Sequence, residues 1–201
     1  MNSTSYLSIL IIVIKATIEP LRMKGIVFNQ LQEFVEIHHG VMAWDQAILS
    51  CDLPSEGVYV STKSYQDSEL LTLVGYFSDA LKTPAADITR AFGDFVFDRL
   101  LTFAADEAKN AKSLRDFLLM VEDIIHVEVS KLYHDANLPS FGYENNEESL
   151  VMIYRSPRKL CYFSEGLIYG AARHFNETVV VSQSQCMHDG ADSCHLVIEF
   201  K

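Results

Sequence analysis

The apolar residues of this chain change their spacing once, and this change constrains the fold more than any other feature. From Val27 to about Met120 they recur every three or four residues, which predicts several amphipathic helices. After Tyr133 short apolar runs alternate with turns, which predicts strands around one further helix from Cys161 to Phe175. This order predicts an α+β fold with a helical N-terminal half, an antiparallel sheet with helices in the C-terminal half, and a cleft between the halves.

Local signals place the boundaries of individual elements. Asp87 and Ser113 are predicted N-caps, and the second opens a helix from Leu114 to about Tyr133. A loop is predicted from His134 to Gly142. The predicted strands are the run from Leu150 to Arg158, Thr178–Ser182 and His195–Phe200.

The first 22 of the 201 residues differ from the rest. Their apolar run from Tyr6 to Ile14 is too short to span a bilayer, and no basic segment or cleavage site typical of a signal peptide accompanies it. We expect residues 1–22 to be an extension or a mis-assigned start, and residues 23–201 to be the working domain beginning at Met23. The alternative is a weak membrane-proximal or partner-binding arm.

The charge balance limits the partners. Sixteen basic against 27 acidic residues give a formal net charge of −11, and no basic stripe is present. Nucleic acid and anionic membrane surfaces are therefore poor partners. Without a secretory signal we expect a cytoplasmic protein whose four cysteines do not form a disulfide framework.

The segment Tyr154-Arg155-Ser156-Pro157-Arg158 follows an apolar run that predicts a strand. Because side chains alternate along a strand, Tyr154, Ser156 and Arg158 are predicted to project from one face over about 13 Å. A phenol, a hydroxyl and a guanidinium in a row suit a ligand that carries carboxylates or phosphates. The alternative is an ordinary surface triplet on an edge strand, which Pro157 would favour.

His126 lies in an apolar helical segment among Val121, Ile124, Ile125 and Val129. A histidine in such a setting is more often a core or boundary residue than a metal ligand. A neutral imidazole is nevertheless a common axial ligand of haem iron, and apolar neighbours suit the face of a porphyrin.

Together these segments resemble the haem nitric oxide/oxygen-binding (H-NOX) family from Met23 to Lys201. The resemblance rests on Ile125-His126-Val127-Glu128-Val129, on Leu138-Pro139, and on Tyr154-x-Ser156-x-Arg158. It implies a haem b held between a helical distal subdomain and a proximal subdomain with the sheet. It further implies that His126 is the proximal iron ligand, that Tyr154, Ser156 and Arg158 hold the propionates, and that Pro139 presses on the porphyrin.

The resemblance also bears on which gas is detected. Oxygen-binding members place a tyrosine in the helix after the Tyr-x-Ser-x-Arg strand, and the matching residue here is Phe163. Phe163 has no donor for bound oxygen, and Leu167 follows it on the same apolar helix face. We therefore expect a nitric oxide sensor that excludes oxygen, although plain core packing also accounts for Phe163.

The resemblance implies a signalling mechanism rather than catalysis. Nitric oxide bound opposite His126 would weaken the iron–histidine bond, release strain against Pro139, and let the helical half shift relative to the sheet half. We expect no enzyme, and stand-alone bacterial relatives imply a histidine kinase or a diguanylate cyclase/phosphodiesterase as the partner regulated in trans.

Cys161, Cys186 and Cys194 match a three-cysteine, one-histidine zinc site of relatives, but the relatives' histidine falls near Gln183 here. His188 is the substitute we expect. The alternative is a redox-active trio, and Cys51 is expected to be apolar filler. Two other functions stay open: a thiol or zinc redox sensor in which haem is secondary, and a haem-free small-molecule module, since residues from Tyr154 onward also resemble the vinyl-reductase-like domain.

Overall fold

The computed structural model describes residues 21–102, 104–132 and 137–201. Its helices are α1 (Gly25–His39), α2 (Val41–Ser50), α3 (Asp67–Leu81), α4 (Ala85–Leu101), α5 (Asp106–Lys109), α6 (Leu114–Leu119), a π-helix (Val121–His126), α7 (Val127–Leu132), α8 (Cys161–Phe175) and a short 3-10 turn (Met187–Asp189). Its strands are β1 (Arg22–Lys24), β2 (Ser64–Gln66), β3 (Ser140–Asn145), β4 (Ser149–Arg155), β5 (Val179–Gln185) and β6 (Cys194–Phe200). The predicted α+β class is confirmed.

The N-terminal helices enclose the first apolar core. Helices α1 to α4 contribute fully or nearly fully buried side chains, among them Phe28, Leu31, Trp44, Leu73 and Phe92. The three-residue strands β1 and β2 pair antiparallel, with Met23 opposite Tyr65. The sequence did not predict this small sheet, because three residues are too few to show an alternating pattern. Arg22 belongs to β1, one residue before the expected domain start, and residues 1–20 lie outside the described part of the chain.

The C-terminal strands form one antiparallel sheet in the order β3-β4-β6-β5. One face of this sheet packs against α8 and α6, so that alternate residues of β4 and β6 are buried. The second apolar core therefore includes Leu150, Met152, Leu196, Ile198, Ile168, Ala171 and Leu114. Because β4 lies between β3 and β6, it is an interior strand rather than the edge strand considered above.

Helices α4 and α8 join the two cores at very close range. A Cβ added to Gly166 on α8 would lie 2.0 Å from the Arg90 carbonyl oxygen, and one added to Gly93 on α4 would lie 2.3 Å from the Phe163 carbonyl oxygen. Only glycine permits the two backbones to approach so closely. Leu167 contacts both cores from this interface.

Several predicted boundaries are wrong. Asp87 lies in the first turn of α4 rather than at its N-cap, which is Pro84. Ser113 does cap α6, because its Oγ accepts the Asp116 N–H at 3.1 Å. The single helix predicted from Leu114 is divided into α6, the π-helix and α7, and its predicted end at Tyr133 lies outside the described residues.

Two further boundaries differ in the C-terminal half. The predicted loop to Gly142 ends earlier, since β3 already begins at Ser140, and β5 extends beyond Ser182 to Gln185. Among the described residues, no helix is both long and apolar enough to cross a bilayer.

Candidate functional site

His126 is the last residue of the π-helix and is held by a neighbouring carboxylate. Its Nδ1 lies 3.1 Å from Glu122 Oε2, and only 17% of its side chain is exposed. Burial lowers the pKa of His126, and the Glu122 charge partly opposes this effect. Burial therefore favours the neutral imidazole, which is the form that ligates metals. Because a carboxylate accepts hydrogen bonds, Glu122 favours a hydrogen on Nδ1, which would leave on Nε2 the lone pair that a metal requires.

Phe141 connects His126 with the Tyr-x-Ser-x-Arg segment. Its ring centroid lies 5.6 Å from that of His126 and 5.7 Å from that of Tyr154. Phe141 on β3 is the register partner of Tyr154 on β4, so strand pairing fixes this arrangement. No sequence motif marks Phe141 or Glu122 as site residues. The one available signal for Glu122 is its position four residues before His126, one helical turn away.

Tyr154 and Ser156 retain hydroxyl groups that can donate hydrogen bonds. Tyr154 is only 1% exposed, and its Oη accepts the Leu160 N–H at 2.9 Å, which leaves its own hydrogen free to donate. Burial raises the pKa of Tyr154, so the phenol stays protonated at neutral pH. The Ser156 Oγ accepts the Arg158 N–H at 3.3 Å, and the Ser156 hydroxyl also hydrogen-bonds to the Tyr154 phenol.

The three residues do not form the predicted row on one strand. Strand β4 ends at Arg155, so Ser156 and Arg158 lie in the turn that follows it. Pro157 explains this ending, because proline cannot donate to the sheet. The turn brings the Arg158 main chain back towards the Ser156 hydroxyl instead of spreading the side chains along an extended strand.

Arg158 gathers three distant segments of the chain. Its Nε lies 2.5 Å from Asp67 Oδ2 at the start of α3, and both side chains are about nine-tenths buried. Its two Nη atoms donate to the Arg22 and Asn137 carbonyl oxygens. The fork therefore already holds the Asp67 carboxylate and two carbonyl oxygens, and the geometry of a guanidinium suits carboxylates. A haem propionate would have to share or replace one of these partners, with Tyr154 and Ser156 as further hydroxyl partners.

The remaining predicted haem contacts lie at two other places. The Phe163 ring packs 5.4 Å from the Phe92 ring, in the N-terminal core at the α4–α8 interface, and Leu167 lies one turn further on. Pro139 is half-buried and immediately precedes β3. None of these three side chains offers a hydrogen-bond donor.

The three cysteines meet at the N-terminus of α8. The Cys186 Sγ lies 3.8 Å from the Cys161 Sγ and 3.7 Å from the Cys194 Sγ, and the three sulfur atoms lie within 4.8 Å of one another. Burial raises the pKa of the Cys161 and Cys194 thiols. Backbone N–H groups of Met187 and His188 point at Cys194 and Cys186, respectively.

The two candidates for a fourth ligand have other partners. The His188 Nε2 lies 2.8 Å from the Lys159 carbonyl oxygen, and its ring stacks on Tyr162. The Gln183 Nε2 lies 3.4 Å from Glu165 Oε2, whereas its Oε1 is buried without a hydrogen-bond partner. Among the described histidine, cysteine and acidic residues, the sulfur cluster consists of the three cysteines alone.

Comparison with known proteins identifies the family. The sequence matches the haem-NO-binding family over residues 24–183. An H-NOX protein from S. oneidensis in the Fe(II)NO ligation state is 38% identical, with 89% of this chain and 99% of that chain covered and a TM-score of 0.82. The unliganded Fe(II) H-NOX protein from K. algicida is 32% identical, with 89% and 97% covered and a TM-score of 0.82.

A third structure, the IWP-051-bound H-NOX from Shewanella woodyi in the Fe(II)CO ligation state, is 34% identical. The match covers 88% of this chain and 94% of that one with a TM-score of 0.74. Sequence and fold thus agree over nearly the whole described chain, and this protein belongs to the H-NOX family of haem-binding gas sensors.

Proposed function

We propose that this H-NOX domain is a haem-based nitric oxide sensor that excludes oxygen and regulates a partner protein. The observation that carries the choice of gas is the apolar α8 face formed by Phe163 and Leu167, which offers no donor to bound oxygen. The S. oneidensis relative, described with nitric oxide on Fe(II), supports the same choice.

The residues that would hold haem b are His126 on the iron and Tyr154, Ser156 and Arg158 on the propionates. When bound, haem would supply a ferrous iron as the binding site for nitric oxide, and His126 would supply the iron bond whose loss we propose as the signal. Pro139, half-buried just before β3, would pack against the porphyrin.

The chain's own contacts provide a path for the signal. His126 is connected through Glu122 to the Phe141 main chain, and therefore to β3. Arg158 connects the turn after β4 to α3 and β1. A shift of the helix that carries His126 would thus act on the sheet and on the N-terminal helices. Such a shift requires that the ligand favour one arrangement over the other.

The proposal also covers the partner protein and the cellular location. Family membership favours a sensor over an enzyme, and we propose that it regulates a histidine kinase or a diguanylate cyclase/phosphodiesterase in the cytoplasm. Co-purification with the products of neighbouring genes would test this: binding that changes when nitric oxide is added supports the proposal, and kinase and cyclase activities unaffected by the sensor in either state contradict it.

Visible spectroscopy tests the choice of gas. The ferrous protein should bind nitric oxide with loss of the His126 bond, and its spectrum in air should match that under argon until the iron oxidises. Phe163→Tyr introduces a donor and should give measurable oxygen binding, whereas Phe163→Leu should behave like the parent. A stable oxygen-bound parent protein would refute the proposal, and a protein that takes up no haem would favour the haem-free binding module.

We also propose a zinc ion at Cys161, Cys186 and Cys194. Tetrahedral zinc with Zn–S bonds of about 2.3 Å places neighbouring sulfurs about 3.8 Å apart, which agrees with the spacings of 3.7 and 3.8 Å. Burial raises the pKa of the Cys161 and Cys194 thiols, which disfavours the thiolate that both zinc binding and redox chemistry require; the sulfur spacing is therefore what favours zinc over the redox alternative.

The fourth zinc ligand is either His188, after rotation of its ring away from Lys159, or the unpaired Gln183 oxygen. Metal analysis of reduced, anaerobically purified protein tests the proposal. Zinc in the parent and in His188→Ala would point to Gln183 or solvent, and absence of zinc from the parent would leave the redox alternative.

A further inference from the structure

We propose that Glu122 is a positioning residue for His126: it holds the imidazole in the Nδ1–H tautomer and strengthens Nε2 as an iron ligand. The inference rests on the proposed role of His126 as the iron ligand. It concerns a side chain that the family signature does not include.

Glu122 and His126 are joined by a hydrogen bond inside the π-helix. The Nδ1–Oε2 distance is 3.1 Å, and the two residues are four positions apart. A π-helix is rare, and where it occurs it is frequently at a functional site. Here it interrupts what the sequence pattern presents as one continuous helix, over the segment Val121–His126 that carries both the carboxylate and the imidazole.

The carboxylate is itself held in place from the sheet. The same Glu122 Oε2 accepts the Phe141 N–H at 2.9 Å, and the Glu122 N–H points at the Tyr143 hydroxyl at 3.4 Å. Glu122 is only one-third exposed, unlike its neighbour Asp123, which faces solvent. A carboxylate anchored at its own main chain and at its oxygen presents a fixed acceptor to the imidazole.

The chemistry follows from the two nitrogens of the ring. A neutral imidazole carries one N–H, so donation from Nδ1 to the carboxylate leaves the lone pair on Nε2. The carboxylate also polarises the N–H bond and raises the basicity of the other nitrogen, as outer carboxylates do for metal-binding histidines. Loss of such a partner typically weakens metal binding about 10- to 100-fold.

This arrangement would set the threshold of the sensor. If the signal requires loss of the iron–histidine bond, a stronger ligand makes that loss harder. Because Glu122 also binds the Phe141 N–H, movement of His126 would displace β3 through this hydrogen bond. Glu122 would then both set the strength of the iron–histidine bond and transmit its loss to the sheet.

The first experiment uses the haem-free protein. Nitrogen-15 NMR of histidine-labelled chain, with the His126 signal assigned by its loss in His126→Gly, reports the tautomer directly. We expect Nδ1–H in the parent and a mixture dominated by Nε2–H in Glu122→Ala. Asp123→Asn is the matched control and should behave like the parent. A parent in the Nε2–H tautomer, or an unchanged tautomer in Glu122→Ala, would overturn the inference.

The second experiment uses ferrous, haem-loaded protein and resonance Raman spectroscopy of the iron–histidine stretch. The frequency should fall in Glu122→Ala, fall less in Glu122→Gln, which keeps an acceptor for the Phe141 N–H, and remain unchanged in Asp123→Asn. Haem loss should be about 10-fold faster in Glu122→Ala. An unchanged stretch in both Glu122 variants would leave Glu122 with a purely structural role.

The two experiments separate failure of this inference from failure of the proposed function. An iron–histidine stretch that survives in His126→Gly would refute the assigned ligand, whatever Glu122 does. Amide NMR dispersion like that of the parent confirms that each variant is folded.

Discussion

Replacing Gly166 by alanine should destabilise the protein through the contact between α4 and α8. The added Cβ would lie 2.0 Å from the Arg90 carbonyl oxygen and 2.9 Å from the Asp94 nitrogen, where ordinary contact begins near 3.4 Å. The helices must therefore separate by about 1.4 Å. Both obstacles are backbone atoms inside a helix, so no side-chain rotation can relieve them.

The expected free-energy change has two opposing parts. Overpacking of a core typically costs about 1–3 kcal/mol, and a rigid backbone obstacle places this site at the upper end. Alanine gains up to about 1 kcal/mol over glycine in a helix interior. The net destabilisation should be about 2 kcal/mol, which corresponds to a decrease in Tm of roughly 4–8 °C for a domain of this size.

Gly75 on α3 provides a matched control, because a Cβ added there meets nothing within 4 Å. Gly75→Ala should be neutral or stabilising by up to about 1 kcal/mol. Urea unfolding of the haem-free proteins, followed by circular dichroism, measures both variants without the contribution of ligand binding. If Gly166→Ala proves as stable as Gly75→Ala, the helices can separate at little cost and the reasoning fails.

Three further predictions address other contacts. Asp67→Ala leaves the buried Arg158 guanidinium without its carboxylate and should lower the free energy of unfolding by about 3 kcal/mol. The double variant with Arg158→Ala should lose less than the sum of the two single changes; additive losses would mean that the pair is not coupled. Cys161→Ser should lose the zinc that we propose while Cys51→Ser retains it, as measured by metal analysis; retention of zinc in both would refute the ligand set. Burial raises the pKa of Tyr143 to about 12, so the stability that the protonated phenol contributes is complete below pH 10 and is lost as the pH rises towards 12. Tyr143→Phe should reduce this alkaline loss of unfolding free energy, measured by urea titration at each pH. An unchanged pH profile would contradict the raised pKa of Tyr143.

Much of the fold follows from sequence because it depends on local periodicity. Helices α4 and α8 and strands β4 and β6 carry continuous apolar patterns that match their buried faces. The break at the π-helix was not predictable from that pattern, since the apolar spacing continues through Val121–His126. The ending of β4 at Arg155 was predictable from Pro157, but the alternating row of polar residues suggested a longer strand.

The site was only partly predictable for a different reason. A family signature identifies four site residues that lie within 33 positions of the chain: His126, Tyr154, Ser156 and Arg158. The residues that contact them are distant in sequence or carry no signature. Asp67 lies 91 residues before Arg158, and the Phe141 N–H that binds Glu122 belongs to β3, 19 residues further along the chain. Nothing local in the sequence specifies such pairings.

The contacts of Arg158 also have a consequence for the order in which the protein is made. Its partners Arg22, Asp67 and Asn137 precede it by 136, 91 and 21 residues. A ribosome adds roughly 5–20 residues per second. Arg158 is therefore synthesised several seconds after Asp67, and during that interval the Asp67 carboxylate has no guanidinium partner. The proposed propionate grip is therefore completed only when three-quarters of the chain has been translated. Cofactor loading should accordingly follow synthesis, and chains truncated before Arg158 and released should retain haem poorly even though they contain His126.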